Sequence, residues 1–250
     1  MKKICIDAGH FAGYKEGAVK PYTEGDYMLI YAKLLRAALI TKYDVEVIMT
    51  RENGNDVKLD ARGRKAAGCD LFLSCHSDGW ISPVYRASVY GPFDARNGSD
   101  VIGKKLADAI GKVMGIKGEY KTKKSTKGDW EYYGVLRAAS DVCPLYFIVE
   151  HGFHSTEETC RWLLNENNLE LLAQTEADVL AEALGLPLKV KGDVNGDGKL
   201  TAADYLLAKR IVLKTYKPTP EEVKRCDVDG DGKVTSRDYN LIKRMVLKND

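Results

Sequence analysis

The chain has 250 residues with a 44% apolar fraction and a formal net charge of +2, which fits one large and one small domain and argues against a nucleic-acid-binding protein. No apolar run approaches the length of a membrane-spanning helix. None of the six cysteines lies in a CxxC pair, so we expect no disulfide framework and a chain adapted to fold in a reducing compartment.

Strand-like and helix-like patterns alternate along the first three quarters of the chain, which predicts an α/β fold. We expect a mostly parallel or mixed sheet with helices on both faces. The predicted elements are a strand at 3–7, a helix at 26–40, a strand at 45–50, a helix at 57–67, strands at 70–75 and 87–91, a helix at 98–114, a loop at 117–131, a strand at 145–150 and two helices within 156–184. Leu184–Pro187 ends the last of these helices, so we predict domains at 1–187 and 188–250.

Three of the predicted buried strands each have, at or just beyond their carboxyl end, a residue that can bind metal or transfer protons. These residues are His10, His76 and Glu150. The carboxyl ends of parallel strands meet at one edge of an open α/β sheet, where such folds bind ligands. The pattern therefore predicts a metal or acid–base site of a hydrolytic enzyme.

Zinc hydrolases commonly use three histidine or carboxylate ligands and leave a fourth position for water. His10 and His76 are candidate ligands, and Glu24, at the approach to the first helix, is the candidate third. Zinc makes water acidic enough to attack a carbonyl near neutral pH. A second carboxylate must then carry the proton, and Glu150 is the candidate for that role.

Five short motifs carry a resemblance that covers about residues 3–184. They are Ile4–His10, Thr23-Glu24, Val47–Arg51, Leu73–Ser77 and Ile148–Phe153. In this order they resemble the zinc N-acetylmuramoyl-L-alanine amidases of the Amidase_3 family. The resemblance implies zinc at His10, Glu24 and His76, with Glu150 as catalytic base. It also implies cleavage of the amide bond between N-acetylmuramic acid and the L-alanine of the peptidoglycan stem.

Three residues depart from the family pattern. Asp78 stands where asparagine is common, and His151 and His154 stand where apolar or small residues are usual. Asp78 is expected either to orient a water molecule at the metal or to support His76 from outside the ligand set. For His151, replacement of a ligand is one alternative. Strand alternation turns it away from Glu150 and favours a packed or capping histidine.

Two other functions stay open on these residues. One is a binding protein that grips peptidoglycan without cutting it, and the other is a zinc peptidase that cuts within stem peptides. Met1 leads directly into the first strand without a secretory signal peptide. This fits a phage-type endolysin released by other means, and equally a trimmed secreted autolysin. Either would act at the bacterial cell wall, outside the cytoplasm.

The segment after residue 188 contains a repeat, since Asp193–Lys199 recurs as Asp227–Lys233. Each copy follows the EF-hand scheme of alternating oxygen ligands, with glycine at the sharp turn and a carboxylate at the twelfth position. The repeat predicts two structural calcium ions. The predicted ligands are Asp193, Asn195, Asp197, the Lys199 carbonyl, Thr201 and Asp204, then Asp227, Asp229, Asp231, the Lys233 carbonyl, Thr235 and Asp238.

Residues 190–250 differ from a regular EF-hand because aspartate holds the twelfth position and no amphipathic helix is predicted before either loop. Each repeat consists of a loop followed by an exiting helix, and two such units in succession resemble a type I dockerin module. The resemblance implies calcium-dependent folding and docking to a cohesin module on a scaffold protein. A wall polymer and self-association with another copy are the alternatives. The implied partner-binding residues are Ala202, Ala203, Lys209, Arg210, Ser236, Arg237, Lys243 and Arg244.

Overall fold

The structure is a computed structural model that describes residues 1–81 and 83–249. The chain divides between Leu186 and Pro187 into two compact units. No helix within the described residues is long and apolar enough to cross a membrane.

A six-stranded sheet forms the centre of the first unit. Its strands are β1 (Lys2–Ala8), β2 (Val45–Met49), β3 (Leu71–Asp78), β4 (Arg86–Gly91), β5 (Lys117–Thr122) and β6 (Leu145–Phe153). They lie in the order β2-β1-β3-β6-β4-β5. The pairs β1–β2, β1–β3, β3–β6 and β4–β5 are parallel, whereas β4 runs antiparallel to β6. The predicted α/β fold with a mixed sheet is therefore confirmed.

Helices cover both faces of this sheet because side chains along each strand alternate between two apolar cores. In β1, Ile4 and Ile6 lie in one core while Cys5 lies in the other. The helices are α1 (Glu24–Lys42), α2 (Leu59–Arg64), α3 (Ser99–Met114), α4 (Gly134–Ser140), α5 (Glu157–Leu163) and α6 (Glu166–Leu184). The first core draws on α1, α3 and α6, and the second draws on α4.

The prediction of a loop at 117–131 is wrong for its first part, because residues 117–122 form strand β5. This strand pairs with β4 at the edge of the sheet. Its alternating charges, Lys117, Glu119 and Lys121, are typical of edge strands, which have no second neighbour to cover them. The apolar run that marks a buried strand is absent from such a segment, so its sequence resembles a loop.

The second unit consists of the two repeats and their helices. The helices are α7 (Ala202–Val212), α8 (Pro220–Cys226) and α9 (Ser236–Asn249). The expectation that no helix precedes either loop is wrong for the second loop, which follows α8. That helix is only seven residues long, and it begins with a capping box between Thr219 and Glu222. Tyr205 and Tyr239, at equivalent positions of the repeats, stack with ring centroids 5.0 Å apart, and their hydroxyls are 2.7 Å apart.

Candidate functional site

The start of helix α1 places Glu24 at the carboxyl edge of the sheet. Thr23 caps this helix by accepting a hydrogen bond from the backbone N–H of Asp26, so Glu24 is the first helical residue. The preceding loop packs tightly against the helix start. A side chain at Gly25 would lie 1.7 Å from the carbonyl oxygen of Phe11, so only glycine fits there.

His10, Glu24 and His76 form a compact cluster in which every pair of ligand atoms lies within 4.8 Å. Glu24 Oε1 is 2.8 Å from His76 Nδ1 and 3.2 Å from His10 Nε2. Glu24 is buried, while the two histidine side chains are partly exposed. One carboxylate oxygen is thus shared between two imidazoles at the surface end of a buried site.

The electrostatics of this cluster favour a negative Glu24 and a positive His76. Burial opposes ionisation of Glu24, but hydrogen bonds from His10 and His76 outweigh it and lower its pKa to about 2. Burial likewise opposes a charged His76, yet Glu24 outweighs it and raises the pKa of His76 to about 9. A metal cation bound here would compete with the proton on His76, because a metal ligand must be a neutral imidazole.

Glu150 lies next to this cluster, since it is the register partner of His76 on the adjacent strand. Burial is the main cause that raises the pKa of Glu150 to about 8, and the Glu24 and Asp78 carboxylates add to it. Its Oε2 is buried and has no hydrogen-bond partner among the described residues. A cation held by the three clustered residues would favour the ionised form of Glu150 that a general base needs. The donor set and this unpartnered oxygen therefore fit zinc.

Two buried arginines hold the loop that carries His10. Arg51 donates to the carbonyls of Ala8, Gly9 and Gly25 at 2.9, 2.8 and 2.5 Å. Arg62 donates to the carbonyls of Ala8 and His10, and it pairs with the buried carboxylate of Asp7 at 2.9 Å. Arg62 thus holds the loop through both an ion pair and hydrogen bonds to carbonyls, whereas Arg51 holds it through hydrogen bonds to carbonyls alone.

The three departures from the family pattern lie around the cluster without joining it. His151 is fully buried, and its ring nitrogens contact the His76 carbonyl and Glu176, so the alternative that it replaces a ligand is wrong. His154 Nδ1 is 2.9 Å from Ser77 Oγ, which is 2.7 Å from the Tyr22 hydroxyl. Asp78 accepts a hydrogen bond from the backbone N–H of Gly79.

Glu176 is a buried residue that the sequence reasoning missed. It lies on α6 among the buried residues Leu172, Ala173, Ala177 and Leu180. A carboxylate at helical spacing within an apolar stripe is a signal for a paired buried charge, because such a charge cannot be buried alone.

Both predicted calcium loops have the same backbone framework. Asp193 accepts hydrogen bonds from the N–H groups of Gly196 and Gly198 at 2.8 Å, and Asp227 accepts the equivalent bonds from Gly230 and Gly232 at 2.9 Å. The turn glycines at position six have φ of 83° and 82°. Asp204 and Asp238 are fully buried and accept backbone N–H groups of their own loops.

The side chains that could hold a cation lie close together in the second loop. Asp227, Asp229 and Asp231 bring carboxylate oxygens within 4.8 Å of one another. In the first loop, Asn195 replaces the middle carboxylate and donates to Asp197 Oδ2 at 3.1 Å. Lys199, Thr201, Lys233 and Thr235 lie in the same loops, where Thr201 and Thr235 accept helix N–H groups at 3.2 and 3.1 Å.

All eight predicted partner-binding residues are exposed. They are Ala202, Ala203, Lys209 and Arg210 on α7, and Ser236, Arg237, Lys243 and Arg244 on α9. The two sets are not equivalent: Arg237 pairs with Asp229 at 3.1 Å, whereas alanine holds the matching place in the first repeat.

Comparison with known families assigns both units. Residues 4–182 match the N-acetylmuramoyl-L-alanine amidase family Amidase_3, and residues 191–247 match the dockerin type I domain. The endolysin of Bacillus phage SPP1 is 29% identical over 197 residues, which cover 76% of this chain and 69% of that protein.

Solved structures share the fold of the first unit. The catalytic domain of CwlV, an N-acetylmuramoyl-L-alanine amidase from Bacillus (Paenibacillus) polymyxa var. colistinus, superimposes with a TM-score of 0.63 at 22% identity, covering 74% of this chain and 99% of that one. An N-acetylmuramoyl-L-alanine amidase from Clostridium difficile 630 gives a TM-score of 0.65 at 20% identity, with coverage of 74% and 97%.

Proposed function

This chain belongs to the Amidase_3 family of N-acetylmuramoyl-L-alanine amidases, and on that premise we propose that it is a zinc-dependent enzyme whose metal is held by His10, Glu24 and His76. It is a peptidoglycan amidase that cleaves the bond between N-acetylmuramic acid and L-alanine. The observation that carries the zinc proposal is the cluster of three ligand atoms within 4.8 Å at the carboxyl edge of the sheet.

The chemistry divides between the metal and Glu150. Zinc, when bound, would act as a Lewis acid that makes water a nucleophile near neutral pH. Glu150 takes a proton as water attacks the amide carbon and returns it to the amino group of L-alanine as the C–N bond breaks. Its place beside His76 on the neighbouring strand supports this assignment.

Arg51 and Arg62 maintain the site without contacting substrate in this proposal. His10 has a φ of 58°, a left-handed conformation that is unfavourable for a residue with a side chain. The arginine hydrogen bonds to the carbonyls around His10 offset that cost. We therefore assign both arginines to positioning the first zinc ligand.

The second unit is a type I dockerin module. Our proposal is that it binds two calcium ions through the two loops and docks to a cohesin-type module on a scaffold protein. The exposed Lys-Arg pairs on α7 and α9 support a recognition surface on these helices. Action at the cell wall, outside the cytoplasm, follows from the substrate, and the similarity to a phage endolysin supports an endolysin-type role over an autolysin.

The test is digestion of purified peptidoglycan with the zinc-loaded protein, followed by mass spectrometry of the released fragments. We expect intact stem peptides that begin with a free L-alanine amine. E150Q should lower turnover about 10²–10⁴-fold, the usual contribution of general acid–base catalysis, while zinc stays bound. E52Q, at an exposed carboxylate paired with Arg36, is the control and should keep full activity.

Other fragments would point to the other functions. Cuts within the stem would assign the protein to the peptidases. Sedimentation with the cell wall without any released fragment would favour a binding protein. Undiminished turnover by E150Q would remove Glu150 from the mechanism while leaving the amidase assignment intact.

A further inference from the structure

His151 and Glu176 form a buried pair directly behind the proposed zinc site. Both side chains are fully buried, and His151 Nε2 is 2.7 Å from Glu176 Oε1. The other ring nitrogen, Nδ1, is 2.9 Å from the backbone carbonyl oxygen of His76. Tyr31 of α1 packs on the imidazole with ring centroids 4.5 Å apart. The pair therefore links β6 and α6 to the backbone of a proposed zinc ligand on β3.

The hydrogen-bond chemistry determines which nitrogen carries a proton. A carbonyl oxygen can only accept, so His151 must carry a proton on Nδ1 and donate it to His76. Nε2 and the Glu176 carboxyl then share a single proton between them, whichever of the two holds it. Glu176 thus keeps the imidazole in the one orientation that serves His76.

The sheet is irregular at this point, which explains why His76 needs a donor. The β3–β6 register passes from His76–Glu150 to Asp78–Phe153, so His151 and Gly152 together oppose Ser77. Gly152 has a φ of 73°, as bulges often require. A bulge disrupts the ladder locally and re-aims a side chain, and here His151 donates to the carbonyl at the disruption.

From these contacts we infer that His151 is a positioning residue for the metal site. By holding the His76 carbonyl, it fixes the backbone from which the His76 imidazole reaches Glu24. Its partner Glu176 fixes His151 in turn. The inference rests on the zinc ligands proposed above and concerns how firmly they bind, and it makes neither residue a ligand or a proton carrier in the reaction.

Two variants of the full-length protein separate this role from simple packing. H151N keeps an amide nitrogen near the place of Nδ1, so it can still donate to His76 but loses Glu176. H151Q keeps an amide nitrogen near the place of Nε2, so it can still contact Glu176 but loses the His76 carbonyl. Zinc affinity is measured by competition with a chromogenic chelator, and the thermal unfolding midpoint is measured in the zinc-free protein.

We expect H151Q to bind zinc about 10-fold or more weakly, the lower end of the loss when a partner outside the ligand set is removed. H151N should bind zinc within a factor of about 3 of wild type and show the larger fall in thermal midpoint, because it leaves Glu176 buried without a partner. If H151N does not fold, H151N/E176Q replaces it, since no carboxylate is then left unpaired.

Equal zinc affinity in wild type and H151Q would overturn the inference, and so would equal losses in both variants. A wild-type protein that bound no zinc would instead overturn the zinc proposal, and this inference with it. Tight zinc binding by wild type that weakens about 10-fold or more in H151Q and stays within a factor of about 3 in H151N is the supporting result.

Discussion

Arg62 donates a hydrogen bond from Nη2 to the backbone carbonyl of His10, and so ties helix α2 to the loop that carries a proposed zinc ligand. The same guanidinium pairs with Asp7, which is buried at the end of β1 and also accepts from Ser74 at 2.6 Å. One side chain therefore connects the sheet, the loop and the helix at the rim of the site.

Replacement of Arg62 should destabilise the protein strongly. R62A leaves the Asp7 carboxylate buried without its cation, and breaking a buried ion pair in this way costs about 3–5 kcal/mol. Denaturant unfolding of the catalytic unit measures the change. Arg64, two residues along the same helix, is exposed and pairs with Asp60, so R64A should cost less than about 1 kcal/mol. Equal losses would contradict the role given to Arg62.

Loss of the shared carboxylate should release zinc. In E24Q the ligand between His10 and His76 becomes a neutral amide, so we expect zinc affinity to fall more than about 100-fold, beyond what a partner outside the ligand set costs. Elemental analysis of the purified protein measures bound zinc. E16Q, at an exposed glutamate of the same loop, is the matched control. Stoichiometric zinc in E24Q would exclude Glu24 as a ligand.

Removal of calcium should loosen the second unit alone. Asp227, Asp229 and Asp231 crowd three carboxylates within 4.8 Å, and without a cation these charges repel one another. A calcium-selective chelator is therefore expected to make residues 190–250 sensitive to limited proteolysis while residues 1–186 resist it. Added calcium should restore protection. Equal protection of the module with and without calcium would count against the two predicted sites.

Glu131 should make stability depend on pH in a direction opposite to most carboxylates. Burial raises its pKa from 4.5, although hydrogen bonds from the Phe93 N–H and the Tyr146 hydroxyl act against the rise. A raised pKa means that its contribution is complete below pH 4.5 and is lost as pH rises through the folded-state value. E131Q removes the buried charge. Its thermal unfolding midpoint should therefore increase relative to that of wild type as pH rises from 4.5 to 7.

Glu119 provides the control of opposite sign. Lys117 and Lys121 lower its pKa to about 2, so its stabilising contribution is present above about 4.5 and is lost as pH falls toward 2. The thermal unfolding midpoint of E119Q should therefore be lower than that of wild type at neutral pH. The difference should disappear as the pH falls toward 2. Parallel pH profiles for E131Q and E119Q would show that neither carboxylate behaves as its surroundings imply.

The cluster at the sheet edge was predictable because its residues follow local patterns. His10 and His76 each follow an apolar strand, and parallel strands bring such ends together whatever the intervening sequence. The calcium loops are predictable for a related reason, since all side-chain ligands of one loop lie within twelve consecutive residues.

Features that depend on distant partners were not predictable in this way. Glu176 contacts His151 from 25 positions away, and nothing next to either residue in the chain specifies the other.

Two elements were missed because they lack a clear apolar pattern. Strand β5 was not predicted because an edge strand is solvated and lacks an apolar run. Helix α4 was missed because it spans only seven residues, too few for an apolar period to emerge.

The stacked tyrosines of the second unit have a consequence for the smallest chain that can fold there. Tyr205 and Tyr239 are the same position of the repeat, and each is the main ring partner of the other. A residue that meets its own equivalent lies on an approximate twofold axis, as in a symmetric dimer. One repeat alone would carry half of the contact, and two separate repeats could rebuild it by pairing. The duplication thus joins the two halves of a dimer-like contact within one polypeptide. Because the halves are separate segments of that chain, their sequences can differ.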